Sequence, residues 1–200
     1  MRKKLKITLT LVFFIFLAFF GVYRLWFGGG KLVPFQFAEA RLAGAQVADK
    51  IASLSSLSLG NLEVINRYDR EKNYQAALGL VKVELARNQE ARLEAVKLSN
   101  YLDQMVRVIA EIKPRPAQRI ATRAVGQEIN LINHLIQRYE LLQQLFGLLE
   151  VKFENGSAKL LDQVPALIKK VNEESIAINR LNKQFNDSMA EFDALTLLSD

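Results

Sequence analysis

Five cations gather around a double-proline break near the middle of this chain: Arg107, Lys113, Arg115, Arg119 and Arg123, with Glu111 the one acid among them. Arg115, Arg119 and Arg123 stand four apart, so on a helix they share a face and form one cationic stripe. Cations in the first turns of a helix oppose its macrodipole, at roughly 0.3–1 kcal/mol each when exposed. A surface that serves only the fold more often carries acids there. The chemistry of such a stripe is recognition of an anion: lipid headgroups, a cell-wall polymer or an acidic protein face. The plain alternative is a solvated basic end paired with scattered acids.

The other candidate groups exclude more chemistry than they offer. His134 is the single histidine. One helical turn to either side lie Asn130 and Arg138, neither a transition-metal ligand, so His134 reads as an ordinary helix-surface or edge residue. With no cysteine there is no disulfide, no thiolate nucleophile, no Cys-bound metal and no lipoprotein linkage. The carboxylate pairs Glu150/Glu154 and Glu173/Glu174 fall beside Lys152, Lys169 and Lys170. They read as solvated charge rather than a general acid and base. No Gly-x-Ser-x-Gly elbow occurs, and Gly28-Gly29-Gly30 follows an apolar run rather than a strand, so it reads as a hinge. The expectation is a non-enzyme with no catalytic residue, no cofactor and no metal site.

What positions the chain begins at its N-terminus. Arg2, Lys3, Lys4 and Lys6 precede an apolar run from Ile7 to Tyr23 that ends in Arg24-Leu25-Trp26-Phe27. At ~1.5 Å per residue the run covers about 26 Å to Tyr23 and about 32 Å to Phe27, against a hydrocarbon core of ~30 Å. Arg24 reaches the interface by snorkelling. A cleaved signal peptide is the rival, since Gly28 and Gly30 meet a small-x-small rule, yet its cleavage region would not carry Arg-Leu-Trp-Phe. The reading is a basic cytoplasmic stub (1–6), a transmembrane helix (7–27) through which the chain meets the lipid bilayer, a linker (28–35) and an extracytoplasmic bundle (36–200). It makes a single-pass plasma-membrane protein with a cytoplasmic N-terminus. Of the formal +6, the first 30 residues carry +5 and the remainder +1. The basic balance therefore belongs to the anchor, and nucleic acid is not an expected partner.

Beyond the linker the pattern is helical throughout, with no alternating strand signal. Ala40, Ala43, Val47, Ile51 and Leu54 predict a helix from about 36 to 58, closed by the serine-rich stretch before Gly60. A short helix to about 71 and another from Tyr74 to Arg87 follow. Asn88 is expected to cap a further helix bearing Ala95, Leu98, Leu102, Met105, Ile109 and Ile112. Pro114 and Pro116 stop it. The series Val125, Ile132, Tyr139, Phe146, Phe153, with Leu135, Leu142 and Leu149, marks a helix from 117 to about 153. Asn155-Gly156-Ser157 turns the chain, Leu160 and Leu161 lie in a short helical turn, and Pro165 opens a last helix to about 195. Its seams are Val171, Ile178, Phe185 and Phe192, with Leu181 and Leu195. The fold class is all-α: an N-terminal transmembrane helix followed by an elongated antiparallel helical bundle built mainly on three long helices. The same seams can pair between chains as a coiled coil, so the oligomeric state stays open, although short breaks favour packing within one chain.

Two resemblances accompany this pattern. Tyr68, Tyr74, Ala77, Leu78 and Leu85 are spaced as in one tetratricopeptide-type helical hairpin, over residues 64–85. Ile65 and Lys72 stand in place of its glycines and Glu84 in place of its late alanine. One repeat further on, Val108 and Glu111 replace the Tyr74 and Ala77 positions, so the likeness implies no stacked array and no peptide groove. The layout of one anchor plus an exported helical bundle is similar to LemA-type bacterial membrane proteins, as is a last helix carrying Asn179, Asn182, Phe185 and Asn186. That likeness transfers no functional residue.

Two function classes follow. The first is a membrane-anchored structural or adaptor protein, with an envelope protein or anionic surface as partner. The second is a ligand-sensing helical module that signals through a partner. Such a sensor needs a cytoplasmic output, and the six residues before the span argue for the first class.

Overall fold

The computed structural model describes residues 32–156 and 161–197. The basic stub, the expected span at 7–27 and most of the linker lie outside them. Among the described residues no helix is long and apolar enough to cross a membrane.

Four helices pack as a bundle: α1 (Phe35–Arg70), α2 (Tyr74–Val108), α3 (Arg115–Asn155) and α4 (Val164–Leu197). They contain 36, 35, 41 and 34 residues, which is about 50–60 Å each at ~1.5 Å per residue. Sequential neighbours pack along their lengths. Each neighbour runs antiparallel to the last, and two of the connections are tight turns. Between α1 and α2, Lys72 takes a positive φ of 58°, and the Asn73 side chain accepts from the Ala76 N–H at 3.3 Å. Between α2 and α3, a 3₁₀ turn (Ile109–Glu111) precedes Pro114, which bounds α3. Gly156, at φ +64°, closes α3 by donating its N–H to the Lys152 carbonyl at 2.9 Å. Ser157 and Leu160 lie outside the described residues. Pro165 falls in the first turn of α4, as expected.

Two expected breaks are absent, and each correction has a polar cause. α1 runs unbroken through the serine-rich stretch and Gly60, so there is no separate short helix to 71. Ser58 is buried and donates to Glu84 Oε2 of α2 at 2.5 Å, which spends its hydroxyl across the interface instead of on a turn. Gly60 is exposed with open space at its Cβ position, so it costs only propensity. Asn88 is not a cap. It lies mid-helix, buried, and its Nδ2 donates to the Tyr139 carbonyl of α3 at 2.8 Å. The expected three long helices are therefore four.

The apolar seams lie inside. Val125, Ile132, Leu135, Tyr139, Leu142, Phe146 and Phe153 are all buried, as are Val171, Ile178, Leu181, Phe185 and Phe192; Leu149 and Leu195 pack at the margin. Tyr74 lies against Phe153 at one end with ring centroids 6.0 Å apart, and Phe37 against Phe192 at the other at 5.5 Å. α1 and α4 are joined at this second end, where Arg41 grips Asp193 with two hydrogen bonds of 2.7 and 2.9 Å. Across the bundle, Lys152 of α3 donates to Asp69 of α1 at 2.6 Å, and Arg138 lies 3.4 Å from the Ser55 hydroxyl.

Candidate functional site

The five cations singled out in the sequence are all exposed and gather at one end of the bundle, where α2 passes into α3. Their surroundings divide them. Arg107 pairs with Asp103 on its own helix at 2.8 Å. Arg123 leans onto α4, where it contacts Glu191 and donates to the Ser188 hydroxyl at 3.3 Å. Lys113, Arg115 and Arg119 have no ion pair among the described residues. No acid occupies the first turn of α3. The cations left without an ion pair among the described residues are thus Lys113, Arg115 and Arg119, with Arg123 drawn aside.

One backbone contact sets the orientation of this end. The Lys113 N–H donates to the Leu32 carbonyl at 2.8 Å. The basic turn therefore touches the point where the described chain begins. Phe35, 73% exposed, and Val106, 45% exposed, stand at the same end. Cations and exposed apolar side chains at one end of a bundle have the chemistry of a surface that meets charged headgroups above hydrocarbon.

A second site was not visible from motifs. Where the four helices meet, about one turn along α1 from the Arg41–Asp193 clasp, a cleft of about 40 Å³ opens among Gly44, Ala48, Tyr101, Met105, Phe185 and Glu128. Small side chains on α1 leave the space, and the walls are almost wholly apolar. Glu128 is buried, and its Oε2 has no hydrogen-bond partner among the described residues. Loss of water pushes its carboxyl up to about 7, because burial penalises the charged form. Arg41, the one cation in the lining, is committed to Asp193.

Other charged side chains, buried and exposed, have partners within the fold. Glu84 accepts from Ser58, from Asn61 at 2.6 Å and from Arg87. Lys50, flanked by Glu90 and Glu94, is raised by those carboxylates. Glu94 is lowered by Lys50 and then Lys97. Burial lowers Arg138. His134 is half-buried and joins Glu174 of α4 at 2.6 Å, an interhelical pair rather than a ligand set. Glu150 and Glu154 face Lys82, and Glu173 faces Lys169. No group of three or more metal-ligating side chains occurs among the described residues.

Sequence reasoning missed Glu128, though a signal existed. Val125, Ile132, Tyr139 and Phe146 alternate with Leu135 and Leu142, and that second series extended one heptad backwards lands on Glu128. A carboxylate at an inward heptad position is the mark of a buried polar site.

Comparison with known proteins adds no family: no protein-family model, no curated protein and no solved structure matches this chain.

Proposed function

We propose that this chain is a membrane-anchored extracytoplasmic helical bundle with a structural or adaptor role. Its basic end rests on anionic headgroups, and its flanks stay open to an envelope partner. The observation that carries the reading is the Lys113–Leu32 hydrogen bond. An anchor at 7–27 leads into Leu32 within a few residues, so the tether would bring the bundle to the bilayer basic end first. Lys113, Arg115 and Arg119 would then face phosphates, and Phe35 the interface. Each such cation near an anionic surface contributes about 1 kcal/mol, and salt screens it. The layout likeness to LemA-type proteins accords with this reading and assigns no residue.

The experiment places the full chain in lipid nanodiscs of neutral or anionic composition and follows hydrogen exchange at residues 109–123. Protection should rise in anionic discs, fall with salt, and vanish in a Lys113/Arg115/Arg119→Gln variant. Equal protection in both lipids would sink headgroup docking. Intact mass of the membrane fraction tests the anchor separately, since a chain starting near Lys31 would mean cleavage. A second reading, a ligand-sensing module, is favoured by the Glu128 cleft, because α1 both lines that cleft and follows directly on the tether.

A further inference from the structure

The Glu128 cleft has three properties that together select a ligand. Its walls are apolar, its room is small, and its lining includes Glu128, whose Oε2 is shut off from water and lacks a donor among the described residues. A volume of about 40 Å³ admits about three waters, at ~10–15 Å³ each, or the head of a short organic molecule. An anion finds no free cation in the lining, because Arg41 is clasped by Asp193. A purely apolar molecule would leave Oε2 unsatisfied, at the cost of any buried orphan. A bare metal ion requires several oxygen ligands, and the lining offers one carboxylate. A primary ammonium on a short alkyl chain answers all three properties. Once the Glu128 carboxylate turns its buried Oε2 towards the cleft, such a cation gives it a charge-assisted N–H donor, lays methylenes against the Ala48 and Met105 walls, and sits near the Tyr101 and Phe185 rings.

We propose that the cleft lined chiefly by α1 and α2 is a binding site for a small primary alkylammonium compound, with the Glu128 carboxylate as its counter-ion. The charged groups around it are few. Arg41 comes from α1 and is clasped by Asp193 of α4; Tyr101 comes from α2; α3 supplies Glu128 alone. Nothing in the lining therefore competes for Glu128, and the N–H groups not bound to Oε2 face water at the partly open mouth. Binding keeps a proton balance: a neutral Glu128 carboxyl releases its proton to solvent as the ammonium docks, and the pair is left ionised. The site does not depend on the headgroup reading, so either can fail alone.

The test uses the full chain with glutamate carboxyl carbons labelled for NMR, at a pH just below 7. The Glu128 resonance is assigned by its loss in Glu128→Gln. Propylammonium should move that resonance saturably towards the ionised position, with a Kd in roughly the millimolar range expected for so few heavy atoms. Neutral propan-1-ol should not. Ala45→Leu, which fills the cleft without touching any charge, should weaken the response at least about tenfold, with helical content unchanged. A Glu128 signal unmoved by tens of millimolar propylammonium overturns the proposal. So does one moved equally by propan-1-ol, or one that drifts linearly like the exposed glutamates.

Discussion

Substituting Glu128 by Gln tests the bundle's least compensated group. In the native state burial holds the Glu128 carboxyl at about 7 rather than its ordinary 4.5. Between those two values the folded protein keeps a proton that the unfolded chain has released. Stability against unfolding must therefore fall as pH rises through that window and level off above it. At about 1.4 kcal/mol per pH unit, the drop is about 3 kcal/mol, a large part of a total of ~5–15. Glu128→Gln keeps the shape and removes the titration. Its amide leaves a buried donor unpaired, at about 1–3 kcal/mol, but that cost is the same at every pH. Urea unfolding of residues 31–200 from pH 4.5 to 8 separates the two effects, because every other titrating group is common to both proteins and cancels. The wild type should lose about 3 kcal/mol more than the variant across the window. Superimposable pH profiles would refute the reasoning, since Glu128 would then be solvated in the folded state.

The remaining expectations are simpler. Leu142→Asp puts a charge into the α3 seam, where Leu142 is buried; it should cost several kcal/mol and abolish cooperative thermal unfolding. Glu84→Ala strips an acceptor from Ser58, Asn61 and Arg87 and should cost about 2–3 kcal/mol in urea. Glu90→Ala, removing an exposed partner of Lys50, should cost less than about 1. Gly156→Ala forces a side chain into φ +64° and should lower stability by about 1–2 kcal/mol. The Lys113/Arg115/Arg119→Gln variant should unfold within about 0.5 kcal/mol of wild type, because those exposed side chains hold no ion pair among the described residues and the Lys113 backbone bond is kept.

Apolar periodicity made the helices and most of the core legible. Val125 to Phe153 and Val171 to Phe192 needed only their own spacing, and the structure buries them. The errors came from reading polar residues locally. Ser58 and Asn88 carry the propensities of breaks and caps, and a single sequence does not show the acceptor waiting on the next helix. The basic end was legible as a cluster; its division was not, because Glu191 lies 68 residues from Arg123.

The polar positions nevertheless obey a rule the apolar ones define. Alternating steps of four and three join Phe37, Arg41, Gly44, Ala48, Ile51, Ser55 and Ser58 on α1. The same steps join Val81, Glu84, Asn88 and Ala91 on α2, Val125, Glu128 and Ile132 on α3, and Val171, Ser175, Ile178 and Asn182 on α4. Polar residues in such a seam lower stability, and their best-attested use is to fix register. Partners support that use here. Ser58–Glu84 aligns α1 with α2, Asn88–Tyr139 aligns α2 with α3, Arg41–Asp193 aligns α1 with α4, and just off the α4 seam Ser188–Gln127 aligns α3 with α4. Each bond would be lost by a one-turn slip. Glu128 occupies the same kind of position and aligns nothing, because its Oε2 meets no donor. A device for register would carry its counterpart on the facing helix. Glu128 instead borders a cleft that α1 lines mostly with small residues, and a carboxylate with no counterpart in the fold is one that a molecule from outside can pair.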